Sequence, residues 1–372
     1  MDGMDDDVVE SFAIFLEPDF PLDEVEEIGS RLMSLGCLVP GFVAPPVGLL
    51  DIRALTYAEH VDGLETVLIV DRNLASRMAQ LANEGAPRVW DLPTEVAINL
   101  MAFAQTMNLD IEPGLAFHEL AHRQGDLVAQ DELGWFRAAD RGAARKWIDV
   151  AMRRSATVDL GDAGPVELHE LSKPLMRWNR NYIAMLKVAQ LALAGGNPLS
   201  SLMSLLDWMI DDFILAGPAV MYAARHFGPR IASAKMLKDI RAADRDEAIL
   251  GVRNAAWDVT YLSEFGRLST LRDDTNRQYV FASADRALVD VASTMFCGPE
   301  ATEDFPALVE QLERWWPAKD ARRIRDRYFE CVEIVGADRN RGADLPGDPI
   351  ADMIEAGEGI IRDWPTWSVG SH

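Results

Sequence analysis

An α/β fold is predicted by two apolar, β-rich runs that each end in aspartate and lead straight into helical spacing. They are ETVLIVD (65–71) and QYVFASAD (278–285), followed by LASRMAQLANEG and RALVDVAST. Neither run alternates apolar with polar residues, as a half-wet strand would, so both read as strands covered on both faces. Most of the remaining chain carries helical periodicity. In open parallel α/β sheets, ligands bind beyond the carboxyl ends of the strands. If the two runs are neighbours in one sheet, Asp71 and Asp285 converge on one crevice.

The other elements follow in order. SFAIFLE (11–17) reads as a strand, DEVEEIGSRLMSL (23–35) as an amphipathic helix and VPGFVAPPVG (39–48) as a Pro/Gly-rich link. PTEVAINLMAFAQTMN (93–108) is a helix with Pro93 and Thr94 as start signals. LDIEP is short and extended, and GLAFHELAHRQ (114–124) and GDLVAQDELGWFRAADR (125–141) are helices. Long apolar helices rich in Met, Leu and Trp lie between Lys173 and His226, their stripe a sign of core packing. RDEAILGVRNAAWDVTYLSEFGRLS (245–269) is helical, RDDTNR (272–277) is turn-like, the last part is helical and acidic, and SVGSH is a frayed tail.

The 372 residues are 49% hydrophobic and 26% charged, which suits a globular chain of two domains or one domain with a large insertion. Cys37, Cys297 and Cys331 match no zinc or redox spacing and read as reduced thiols. The acidic start, MDGMDDDVVE, lacks the basic region of an export signal. The apolar stretch 199–222 is broken by Asp207, Asp211, Asp212, Gly217 and Pro218, so no membrane span is expected and the expected location is the cytoplasm.

A formal net charge of −24 opposes nonspecific adhesion to nucleic acid unless positive charge is gathered locally. It is gathered at Arg145, Lys146, Arg153 and Arg154, and at Lys173, Arg177, Arg180 and Lys187, interleaved with Trp147, Trp178 and Tyr182. A third group runs from Arg314 through Lys319, Arg322, Arg323 and Arg325 to Arg327. Such runs are either solvated helix faces or, with their aromatics, a path for single-stranded RNA.

Phosphodiester hydrolysis needs a divalent ion held by a few hard oxygen ligands, and three or four convergent carboxylates are the minimal equipment. The candidates are Asp71, Glu119, Asp258 and Asp285. At these residues the chain resembles the PIN-domain nucleases. VLIVDRNLASRM is similar to their opening motif, with Asp71, Arg72, Asn73 and Leu74 at the strand end. YVFASADRAL resembles the fourth motif, with Ser283 and Asp285, and AAWDVTYLSEF the third, with Asp258. Glu119 fits the second, a helical Glu, with Glu132 as substitute. The resemblance implies a three-layer α/β/α sandwich with a central parallel sheet, Mg²⁺ or Mn²⁺ as cofactor and endoribonuclease activity. It also implies a toxin or defence role, in which a protein inhibitor or antitoxin is a partner. Asn73 and Ser283 would orient ligands or phosphate.

Two departures stand out. Arg72 replaces the family's small hydroxyl residue, and the stretch between Glu119 and Asp258 is far longer than in compact members. The expected organisation is therefore an N-terminal extension (1–62), a PIN-like core in two parts (63–148 and 245–298), a helical insertion (149–244) and a helical C-terminal region (299–372).

A rival motif, HELAH, matches H-E-x-x-H. On a helix His118 and His122 lie on one face and would hold Zn²⁺, with Glu119 as general base, making a zinc metallopeptidase. Arg123 and Gln124 follow where zincins carry apolar residues, and no third ligand stands out. A third reading is a noncatalytic helical interaction protein whose acids only solvate its surface. No Walker-type loop, dinucleotide-binding glycine motif or serine-hydrolase elbow is present in the sequence.

Overall fold

The computed structural model describes residues 16–167, 170–231, 236–296, 307–337 and 349–365. Within them, β1 (Leu38–Pro40), β2 (Glu65–Val70), β3 (Asp110–Glu112) and β4 (Arg277–Ala282) form one sheet in the order β1-β4-β2-β3. β2 runs parallel to both β3 and β4, in a register that sets Val70 opposite Ala282. β1 is antiparallel to β4, so the sheet is mixed and the expectation of a purely parallel sheet is corrected. The reason lies in the segment 39–48: its first residues pair at the sheet edge, where the missing N–H of Pro40 leaves no ladder bond unmade. Most of SFAIFLE, and SVGSH, lie outside the described residues.

Both central strands are sealed on both sides, which explains their unbroken apolar sequence. Val67 and Ile69 of β2, with Tyr279 and Phe281 of β4, point to one face, and Leu68, Val70, Val280 and Ala282 point to the other. Against the second group pack α1 (Leu22–Leu35), α2 (Ile52–His60), α3 (Arg72–Glu84), α4 (Leu92–Met107), α5 (Gly114–Gln124), α6 (Asp126–Asp140) and α7 (Ala144–Ala151). α2 escaped the sequence reading, although Asp51 caps it by accepting from the Ala54 N–H.

The opposite face is covered by α8 (Met176–Ala194), α9 (Pro198–Asp211), α10 (Gly217–Phe227) and the long α11 (Arg245–Ser269). RDDTNR, expected to be a turn, contains the single helical turn α12 (Arg272–Thr275). Asn276, in the left-handed region at φ 53°, then redirects the chain into β4. α13 (Arg286–Ala292), α14 (Leu308–Glu313), α15 (Ala318–Ala337) and α16 (Pro349–Arg362) complete that layer. The stretch 149–244 is divided between the two cores: Val150, Val158 and Leu171 pack with the first layer, whereas Tyr182, Leu205 and Tyr222 sit in the same core as Val67 and Ile69. Among the described residues no helix is long and apolar enough to cross a membrane.

Gly251, buried in mid-α11, shows how closely the segment before α11 is applied to it. A Cβ at this position would run into the Lys238 carbonyl oxygen. Alanine normally favours a helix over glycine by about 1 kcal/mol. Here Gly251→Ala is expected to reverse that sign and lower stability by about 1–3 kcal/mol, read as a lower thermal midpoint.

Candidate functional site

Because β2 and β4 are parallel neighbours, their last residues share one edge of the sheet, and each strand is followed by an aspartate that caps the next helix. Asp71 Oδ1 accepts from the Leu74 N–H at 2.9 Å, and Asp285 Oδ1 from the Ala287 N–H at 2.8 Å. Ser283 ties the two together. Its hydroxyl donates to Asp71 Oδ2 at 2.5 Å and accepts from the Asp285 N–H at 3.0 Å. Both oxygens of the buried Asp71 are thus engaged, while Asp285 keeps its second oxygen free of partners among the described residues.

Two helices bring further acids to this edge. Glu119 of α5 is buried, and its Oε2 accepts from the Tyr261 hydroxyl at 3.1 Å. Arg123, one turn along α5, lies 3.6 Å from Oε1. Asp258 stands on α11 one turn before Tyr261, and its carboxylate has no hydrogen-bond or ion-pair partner among the described residues. Together with Asn73, Arg123, Lys238, Asn254 and Asp285, these side chains line a cavity of about 330 Å³.

The electrostatics follow from crowding acids in a partly dry space. Burial, then the charges of Glu119, Asp285 and Asp71, hold the Asp258 carboxyl well above the ordinary aspartate range, against a weak pull from Lys238. Burial raises Glu119 to about 7, opposed by the Tyr261 hydrogen bond and by Arg72 and Arg123. Burial also raises Asp71 to about 6, against the hydrogen bonds from Ser283 and the Leu74 N–H. Beneath the cluster, α10 packs on α11 and α13 and presents Tyr222. This hydroxyl is fully buried without a hydrogen-bond partner among the described residues. Burial, and then Asp258 and Asp285, keep its proton on.

The structure therefore brings Asp71, Glu119, Asp258 and Asp285 to one place. Asn73 lines the cavity, whereas Ser283 lies behind it as a link between Asp71 and Asp285. Glu132 goes elsewhere: both its oxygens bind the Arg72 guanidinium, at 2.6 and 2.8 Å. Lys238, Arg123, Asn254, Tyr261 and Tyr222 were missed by sequence reasoning. Asn254, Asp258 and Tyr261 recur at helical spacing on one face of α11, a signal visible in sequence; Lys238 and Tyr222 carry none.

The HELAH histidines face away from this cavity's acids. His118 Nδ1 lies 2.7 Å from the Leu171 carbonyl oxygen, and His122 Nε2 3.3 Å from that of Lys173. The His122 ring packs against Trp178 and Trp257, with centroids 6.1 and 5.5 Å away. Among the described residues no three His, Cys, Asp or Glu side chains form a ready-made metal site.

The aromatics of the basic runs are largely taken up by packing: Trp147 and Tyr182 are buried, and the half-buried Trp178 stacks on Tyr182. Many of the cations are paired: Arg145 and Arg154 with Glu24, Arg177 with Glu264, Arg314 with Asp290 and Arg327 with Asp207.

No protein-family model, curated protein or solved structure matches the chain.

A carboxyl whose pKa rises from 4.5 to about 7 on folding binds its proton more tightly in the folded state. Its cost is absent below pH 4.5, grows as pH rises, and above pH 7 reaches on the order of 3 kcal/mol. Without divalent ions, the thermal midpoint is expected to fall between pH 5 and pH 8, and Glu119→Gln to flatten that slope. A wild-type midpoint that rises across this window, or an unchanged slope in the variant, would contradict the account.

Proposed function

We propose that the chain is a Mg²⁺- or Mn²⁺-dependent endoribonuclease of PIN-like type, with its centre at the pocket of Asp71, Glu119, Asp258 and Asp285. One observation carries the reading: the parallel pairing of β2 and β4 sets two aspartates side by side at one sheet edge, where Asp285 lines a cavity with Glu119 and Asp258 and the buried Asp71 stands behind it. Helix layers on both faces of the sheet agree with the sandwich that the PIN resemblance implies.

The donor set suits a hard divalent ion. Every candidate ligand is a carboxylate oxygen, which favours Mg²⁺ or Mn²⁺ over Zn²⁺. Acid also outweighs base in the pocket: among the described lining residues Lys238 and Arg123 stand against Glu119, Asp258 and Asp285, and Arg72 nearby is paired with Glu132. Asp258 and the second oxygen of Asp285 would hold the ion, and Glu119 would join them by giving up its contact with Arg123. A bound ion polarises the phosphoryl oxygens and yields hydroxide near neutral pH.

The chain's own groups do the rest. Asp71, engaged on both oxygens, fixes Ser283 and through it the position of Asp285. Tyr261 orients Glu119 from below. Lys238 and Arg123 supply positive charge for a phosphate group entering an otherwise negative mouth. The zinc-peptidase alternative lacks a third ligand among the described residues, and His122 Nε2 already faces the Lys173 carbonyl.

Incubation of single-stranded RNA with Mn²⁺ is expected to give cleavage that Asp258→Asn or Asp285→Asn each lower by about 10²–10³-fold, the usual cost of losing one electrostatic group at such a centre. Wild-type rates in both variants, or no cleavage with either ion, would remove the proposal. Stoichiometric zinc that is lost in His118→Ala and His122→Ala would replace it with the peptidase.

A further inference from the structure

A second cavity, of about 350 Å³, is lined by the neighbouring turns of the same two helices that line the acidic one. Glu119 and Arg123 of α5 line the first cavity, and Leu115 and His118 line the second. On α11, Asn254 and Asp258 line the first, and Tyr261, Glu264 and Leu268 the second. Residues three and four apart share a helix face, so each helix contributes one face to both cavities, and the Glu119–Tyr261 hydrogen bond joins the lining of one to that of the other.

The second cavity has the size of a small-molecule site. Its floor is the sheet itself, Val67 and Ile69 of β2, with the Tyr279 ring on β4 beside them. Leu115 and Leu268 close it from the helices. An apolar floor with apolar sides accepts a flat ring.

Its polar edge is specific in sense. The Leu171 carbonyl can only accept, so His118 Nδ1 carries the hydrogen, and Nε2 of the neutral ring is left as an acceptor. Glu112 uses Oε1 on the Gly114 N–H at 2.7 Å, which leaves Oε2 as a second acceptor. Two acceptors call for a ligand edge with at least two N–H hydrogens. Arg267 and Arg277 line the same cavity, each paired with a glutamate.

We propose, building on the nuclease reading of the acidic pocket, that this second cavity is the subsite for a nucleobase bearing an exocyclic amino group, in the polynucleotide whose phosphate enters the acidic pocket. Guanine, adenine and cytosine offer two or more N–H hydrogens on one edge. Uracil in a chain offers one. In this arrangement His118 and Glu119, adjacent in sequence, serve adjacent cavities: His118 reads the base and Glu119 faces the phosphate.

The test is calorimetric titration of the whole chain, without divalent ions, with guanosine, adenosine, cytidine and uridine monophosphates and with the matching trinucleotides. The three amino-bearing nucleotides are expected to bind at least tenfold more tightly than uridine monophosphate. Each of their trinucleotides is expected to bind at least tenfold more tightly than its monomer. His118→Phe, which keeps a ring but removes the acceptor, should weaken binding tenfold, and Leu115→Trp, which fills the slot, should abolish it. Absence of saturable binding, equal affinity for uridine monophosphate, or indifference to both cavity variants overturns the subsite. Equal affinity for monomer and trinucleotide makes it a free-nucleotide site and overturns the polynucleotide assignment. Base-selective binding in a chain that never cleaves RNA upholds the base site and removes the nuclease reading. Cleavage without such binding removes only the subsite.

Discussion

The parallel register that sets Val70 opposite Ala282 determines where the charge in this protein collects. A parallel pair ends on one side, so the residues after β2 and β4 must emerge together, and both are helix-capping aspartates. A cap needs one carboxylate oxygen for a backbone N–H. The second oxygen has to be satisfied by something else, and in Asp71 it is satisfied by Ser283, which in turn holds the Asp285 amide. The two strand ends are thereby joined by a hydroxyl as well as by the ladder. The helix starts that follow inherit their direction from this junction.

Around it the molecule accepts an electrostatic cost. Four carboxylates meet with two cations opposite them, and three of the acids are held above their ordinary range chiefly because they are dry. A purely structural cluster would be relieved by further hydrogen bonds, as the Arg72–Glu132 pair is by its two-pronged contact. Asp258 instead is partly open to the cavity and has no partner among the described residues, and the buried Tyr222 hydroxyl has none either.

How far this was visible in the sequence depended on the range of the forces involved. The strand-to-helix junctions at Asp71 and Asp285 were legible because strand burial, capping and turn direction are local. Glu119 and Asp258 were legible as acids on predicted helices, but only the PIN resemblance implied that they meet, since the meeting depends on the packing of α5 and α11 about Tyr261. β1 was read as a link because Pro40 argues against a strand everywhere except at an edge. The basic runs looked like open cations because their partners, Glu24, Glu264 and Asp207, are supplied by other helices of the chain. HELAH was correctly placed on a helix. What the histidines face was decided by the carbonyls of Leu171 and Lys173, on a segment with no periodic signal.

The distance along the chain between the two central strands has a consequence for how the protein comes into being. Ser283 and Asp71 are 212 positions apart, as are Gln278 and Thr66, whose side chains also bond across the pair. Contacts of such long range form late, because the loop they close must be ordered first. A ribosome emitting this chain would release all the helices of one layer well before β4 arrives to seat against β2. The acidic edge therefore has no existence in the nascent N-terminal half and forms only when synthesis has passed the final aspartate.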